Sequence, residues 1–232
     1  MSNTIDTVIF DLDGTLVDSQ PAALGASIQA LAQFGVKVTE DDLRQVFGGG
    51  ARKLLSHFLE RDLGPEQTEE KIEEAIRLRA GLQLDLISKV ELLPQVKELL
   101  ESLRSGGYRM AMATMSSRSV VDSVLGHHDI QHYFAAVTTA DDVTRVKPDP
   151  EILGKTMDKL GGQVRSTMYV GDSAHDMEAS VAVGMPFLLV DSGIYIRGEM
   201  REKLLAEAQR HGFPVVGLHG LMDVPEAAKN HS

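Results

Sequence analysis

From Leu93 onward, short apolar runs alternate with segments of helical period, and that alternation admits few architectures. Residues 109–114, 134–138, 167–170, 186–190 and 214–216 read as strands. Residues 96–103, 118–125, 151–160, 175–183, 198–211 and 221–228 read as helices. Strands and helices of these lengths in alternation predict a parallel sheet with right-handed crossovers. An earlier run, Val8-Ile9-Phe10, reads as a strand buried on both faces, as strands of parallel sheets are. In an open parallel sheet, ligands bind beyond the carboxyl ends of the strands, where the strand order reverses. Polar residues fall at four such places: Asp11 with Asp13, Thr114, the loop carrying Lys147, and Asp172. Their convergence predicts one polar site along one edge of the sheet.

The stretch between the first strand and Leu93 has a different character. Leu24, Ile28, Leu31 and Ala32 recur at helical spacing over 21–34, and Gly35 marks the stop. Thr39-Glu40-Asp41-Asp42 reads as an N-cap and an acidic first turn, opening a short helix to Phe47. Gly48-Gly49-Gly50 then breaks the chain before a helix over 52–61. Thr68 is predicted to cap a longer helix reaching about Leu86, with the charge run over 69–74 as its solvated face. The predicted class is α/β: a doubly wound, Rossmann-like parallel-sheet core from 1–17 and 90–232, carrying an inserted α-helical cap domain at 18–89. Hinges are predicted near Val17-Asp18-Ser19 and Val90-Glu91.

Composition removes several function classes. A formal net charge of -11 argues against nucleic acid as a partner, and no apolar run approaches the eighteen residues of a membrane span. The chain enters its first strand within a few residues of Met1, leaving no room for a signal peptide. Zero cysteines exclude disulfides, thiolate zinc sites and cysteine nucleophiles, and fit a reducing cytoplasm. A monomer or homodimer is expected.

The stretch Val8-Ile9-Phe10-Asp11-Leu12-Asp13-Gly14-Thr15 carries the most chemistry. Two carboxylates so close at a strand end repel each other, and a shared proton or a divalent cation is the usual remedy. In Val146-Lys147-Pro148-Asp149-Pro150, prolines on both sides of Asp149 restrict the loop, which suits a lysine that must be aimed. Asp176 follows Asp172 by four residues, so both can face one point from a first helical turn. Hard oxygen ligands without cysteine or paired histidines favour Mg2+ over zinc.

These stretches resemble the four motifs of the haloacid dehalogenase superfamily, in its phosphatase members and in the same order, over residues 5 to about 192. The resemblance implies that Asp11 is a nucleophile forming a transient aspartyl phosphate, with Asp13 as general acid and base. Lys147 would neutralise the nucleophile and the transferring group, and Thr114 would bind a phosphoryl oxygen beside backbone N–H groups at a helix start. Met115 stands where many relatives carry asparagine. Asp11, Asp13, Asp172 and Asp176 are the implied metal set, Asp172 directly and Asp176 from the second shell or through water. Gly14, Thr15, Gly49, Arg52, Met115 and Ser116 are the expected substrate contacts. The insert resembles the first class of family caps, a lid that excludes water and selects the leaving group.

The implied activity is Mg2+-dependent hydrolysis of a small phosphomonoester metabolite, similar to phosphoglycolate phosphatases. A phosphosugar mutase or a pyrophosphatase on the same fold is the alternative; mutase relatives usually carry Gly-Val where this chain has Gly14-Thr15. A dehalogenase has no need of Asp13. A catalytically silent metabolite-binding protein would tolerate loss of Asp11, Lys147 or Asp172, and all three are present.

Overall fold

Thr7–Phe10 forms the first strand, β1, with all four side chains buried, as its β-branched and aromatic residues favour. In this computed structural model, which describes residues 4–46 and 50–230, the chain divides into two compact units, Met1–Asp18 with Leu92–Ser232 and Ser19–Glu91. These crossings lie within two residues of the sequence-based boundaries.

In the first unit β1 is followed by β2 (Val17–Asp18). After the insert come β3 (Glu91–Leu92), β4 (Arg109–Ala113), β5 (Ala136–Thr138), β6 (Thr167–Gly171), β7 (Phe187–Asp191) and β8 (Val215–Gly217). Six of these strands form one sheet in the order β5-β4-β1-β6-β7-β8, and every pairing is parallel. Renumbered within the sheet this is 3-2-1-4-5-6, the doubly wound order, with its reversal between β1 and β6. The register aligns Phe10 with Met112 on one side and Val170 on the other. Asp11, Thr114 and Asp172 therefore leave neighbouring strands at one edge.

The helices of this unit are labelled in chain order after the four of the insert, α1 (Gln20–Gln33), α2 (Glu40–Gln45), α3 (Gly50–Leu63) and α4 (Pro65–Asp85). They are α5 (Val96–Ser105), α6 (Arg118–His128), α7 (Glu151–Leu160), α8 (Ala174–Val183), α9 (Gly198–His211) and α10 (Val224–Asn230). One core cluster joins Ile9, Ala113, Tyr169 and Phe187 of the sheet to Ile152, Leu153, Met177 and Leu204 of the helices. Each such buried aliphatic or aromatic side chain contributes roughly 1.5–3 kcal/mol.

The second unit is helical and has its own core of Leu24, Leu31, Leu43, Leu55, Phe58, Leu59 and Ile72. Gly35 supplies the positive φ that ends α1, and Thr39 with Asp42 forms a full capping box on α2, a device that stabilises by about 1 kcal/mol. The long helix begins earlier than its expected cap. Pro65 occupies the first turn behind Gly64, whose φ of 82° only glycine adopts freely, and Thr68 lies inside α4 with its hydroxyl donating to Gly64 O at 2.8 Å. Proline's fixed φ decides where this helix starts. Glu69, Glu70, Glu73 and Glu74 are exposed, as the charge run predicts. Among the described residues no helix is long and apolar enough to cross a membrane.

Candidate active site

Lys147 is the centre of the polar site. It is 4% exposed, and its Nζ donates to Asp11 Oδ1 and Asp176 Oδ1 at 2.7 Å each, to Tyr169 OH at 2.9 Å and to Ala113 O at 3.2 Å. An ammonium has three protons, so these four oxygens exceed its capacity and hold it from several sides. The loop before it is fastened from outside. The Glu151 carboxylate accepts from Thr144 N, Thr144 Oγ1 and Arg145 N, while Asp149 Oδ1 accepts from Glu151 N. Arg145 itself lies at the surface, paired with Asp149 and Glu151.

Asp11 follows β1 directly, and its N–H donates to Val170 O at 2.8 Å, which continues the ladder past the strand end. Asp172 comes directly after Gly171, the last residue of β6. Asp176 sits on the first turn of α8, where it forms a capping box with Ser173. Its Oδ2 accepts from Ser173 N and Oγ, and its Oδ1 accepts from Lys147 and Tyr169. Among the described residues, Asp11, Asp172 and Asp176 form a buried group whose carboxylate oxygens lie within 4.8 Å of one another. The four bonds to Asp176 engage both of its carboxylate oxygens.

Two glycines make this crowding feasible. Gly14 has φ +79°, and a Cβ there would lie 2.0 Å from Asp172 Oδ2 and 2.7 Å from Tyr195 Cδ2. At Gly171 a Cβ would lie 2.6 Å from Asp176 Cγ. Gly14 clears the space that Asp172 occupies.

Burial dominates the electrostatics. It pushes the Asp11 carboxyl up to about 7 although Lys147 opposes the shift, and it drives Asp172 well above the usual carboxylate range, helped by Asp176 and Asp11. Burial acts on Asp176 in the same direction, but Lys147, Ser173 and Tyr169 outweigh it and hold the group below its ordinary value. For Lys147 the two aspartates overcome burial and raise the ammonium, so it stays charged. Ionising all three carboxyl groups against one ammonium would leave an excess of two negative charges in a dry space. A hard divalent cation matches that charge and that oxygen donor set.

The other expected residues divide. Asp13 lies outside the three-carboxylate group and is half-buried, its Oδ2 accepting from Ser116 Oγ at 2.6 Å. That bond brings together two of the residues expected at the site, Asp13 and Ser116. Thr114 is fully buried, and its Oγ1 accepts from Ser116 N at 3.1 Å, so its own proton is free to donate. Met115 is half-buried beside it. Thr15 is fully buried, and its hydroxyl has no hydrogen-bond partner among the described residues. Arg52 lies on α3 in the helical unit, ion-paired with Glu73 of α4 and more than half exposed. Gly49 lies outside the described residues. Tyr169 and Gly171 carried no sequence-based role; both alternate onto the face of β6 that meets Asp176, and that alternation was the available signal.

The profile of the family described as haloacid dehalogenase-like hydrolase matches residues 8–190. A phosphoglycolate phosphatase from Vibrio vulnificus is 35% identical over 184 residues, covering 78% of this chain and 81% of that protein. Among solved structures, CbbY from Rhodobacter sphaeroides in complex with phosphate aligns with a TM-score of 0.78 at 20% identity, over 97% of this chain and 99% of that one. A beta-phosphoglucomutase from Clostridium difficile gives 0.78 at 19% identity, over 98% of each chain. Identities that low show the fold alone. With most of its length matched by the profile and the sheet's carboxyl edge carrying Asp11, Lys147 and Asp172 together, the chain belongs to the haloacid dehalogenase-like hydrolase family.

Proposed function

We propose that this hydrolase is a Mg2+-dependent phosphatase of a small phosphomonoester metabolite, similar in activity to phosphoglycolate phosphatases. The observation that carries the reading is the buried Asp11–Lys147 pair at 2.7 Å beside the Asp11, Asp172, Asp176 group. A relative named phosphoglycolate phosphatase, at 35% identity, supports the substrate class.

Asp11 and Asp172 would hold the cation, with Asp176, whose two oxygens already accept four hydrogen bonds, reaching it through water. Bound Mg2+ would supply the positive charge that offsets repulsion between a carboxylate and an incoming phosphoryl group. In the proposed reaction the Asp11 carboxylate attacks phosphorus, and the bond from phosphorus to the leaving oxygen breaks. Asp13 gives that oxygen a proton, leaving an aspartyl phosphate on Asp11. Asp13 then takes a proton from the water that cleaves the acyl phosphate, releasing inorganic phosphate and restoring Asp11. Its bond to Ser116 fits this work, since it holds the carboxyl at a half-buried position. Lys147 fixes the nucleophile and faces the transferring charge. The Thr114 hydroxyl, just past the end of β4 and three residues before the N-cap of α6, donates to a phosphoryl oxygen. A reducing compartment such as the cytoplasm suits a chain without cysteine.

The test is phosphate release from a panel of phosphoglycolate, sugar phosphates, nucleotides and pyrophosphate, with Mg2+ and with EDTA. The proposal expects Mg2+-dependent release with phosphoglycolate among the best substrates. Isomerisation of a sugar phosphate without net phosphate release would replace it with a mutase.

A further inference from the structure

Tyr169 is a fully buried phenol in the middle of β6. Its oxygen nevertheless lies 2.9 Å from Lys147 Nζ, 2.7 Å from Asp176 Oδ1 and 3.1 Å from Ala113 O. We propose that Tyr169 is a positioning residue that aims the Lys147 ammonium at Asp11. The inference rests on the phosphatase reading for its activity test, though its geometry stands apart from it.

Lys147 has two carboxylate partners at equal distance, Asp11 Oδ1 and Asp176 Oδ1, both 2.7 Å away. Those two alone leave its third proton to Ala113 O, the most distant acceptor at 3.2 Å. The Tyr169 hydroxyl changes both ends of this arrangement. It accepts the third ammonium proton at the shorter distance, and it donates its own proton to Asp176 Oδ1. A carboxylate oxygen already accepting from a phenol pulls less strongly on the ammonium, so Lys147 keeps its bond to Asp11. A hydrogen bond to a charged partner contributes strongly in such a dry setting.

The surrounding fold keeps the hydroxyl in place. The Tyr169 ring packs 6.0 Å, centroid to centroid, from Phe187 and lies in the core cluster with Ile9 and Ala113. Lys147 Nζ sits 5.6 Å from the ring centroid, within range of a cation–π attraction. Two residues on, Gly171 presents no side chain, which lets Asp176 lie back over the strand and meet the phenol. The ring anchors, the glycine clears, and the hydroxyl orients.

Tyr169→Phe retains the ring and deletes these bonds alone. With p-nitrophenyl phosphate and saturating Mg2+, kcat is expected to fall about tenfold or more while KM changes less than about twofold. The thermal transition should stay cooperative. Selective NMR of the lysine ammonium groups should show the Lys147 signal shifted and exchanging faster with water in the variant. An active wild type with kcat unchanged in Tyr169→Phe overturns the assignment. Loss of the cooperative transition in the variant also overturns it, because the hydroxyl would then be holding the fold. A wild type inactive on every phosphoester removes the phosphatase reading only; the NMR comparison then decides, and an unchanged Lys147 signal overturns the inference.

Discussion

Asp11 and Lys147 stand 136 residues apart in the chain and meet as a buried ion pair at 2.7 Å. The same ammonium also reaches Asp176, so a single positive charge is shared between the end of β1 and the first turn of α8. A pair like this adds little stability compared with apolar packing, but removing one partner leaves an uncompensated buried charge. Lys147→Met should therefore destabilise the metal-free protein by about 3–5 kcal/mol at neutral pH. It should also abolish measurable turnover. Urea denaturation read by far-UV circular dichroism tests the first expectation, and an unchanged midpoint would contradict it.

Proton linkage gives a second prediction. The Asp11 carboxyl is raised from 3.8 to about 7 by burial, and Asp172 moves in the same direction. Between those values the folded, metal-free protein binds more protons than the unfolded chain. These groups therefore favour folding most at low pH, and stability falls as pH rises through about 4 to about 7. A cation binds the ionised carboxylates, so the stabilisation gained from Mg2+ should be larger at pH 8 than at pH 5.5. Thermal melts with Mg2+ and with EDTA at both pH values measure it. An increment that is equal or smaller at pH 8 would contradict the assignment.

Gly14→Ala isolates the crowding around Asp172. The new methyl would overlap Asp172 Oδ2, and the φ of +79° costs a non-glycine residue about 1 kcal/mol. Displacing the carboxylate should lower kcat by about a hundredfold at fixed Mg2+, because misplacement on the scale of an ångström has that effect. Activity at half the wild-type level or above would show that Asp172 need not lie where it does.

The residues that end strands were legible because the sheet rule and the chain order point to the same edge: Asp11, Thr114 and Asp172 follow β1, β4 and β6 as read. Lys147 was legible from its prolines. Other assignments depended on contacts that sequence spacing does not encode. Asp13 and Asp11 are two residues apart, yet Asp11 groups with Asp172 and Asp176 while Asp13 accepts from Ser116. A tyrosine inside an apolar strand looks like core, and Tyr169 is core by its ring while its hydroxyl serves Lys147. Gly14 was read as a substrate contact, and the volume it leaves to Asp172 was not legible from its place in the turn. Thr68 had the chemistry of a cap, but Pro65 fixed the helix start three residues earlier.

Arg52 offers a cleaner separation of roles. Its pair with Glu73 is exposed, and such pairs contribute about 0–1 kcal/mol, so Arg52→Ala should move Tm by only about 2–4 °C at most. A substrate contact predicts a KM raised several-fold for anionic metabolites with little change in kcat. Equal KM values across the metabolite panel would assign Arg52 to the helix pair alone.

The central claim is that the Asp11 carboxylate takes the phosphoryl group. The most direct measurement is steady-state hydrolysis of p-nitrophenyl phosphate by wild type and Asp11→Asn in saturating Mg2+, with circular dichroism to show that both fold. The account predicts Mg2+-dependent turnover by the wild type and none above background for the folded variant. Sustained turnover by Asp11→Asn would contradict it.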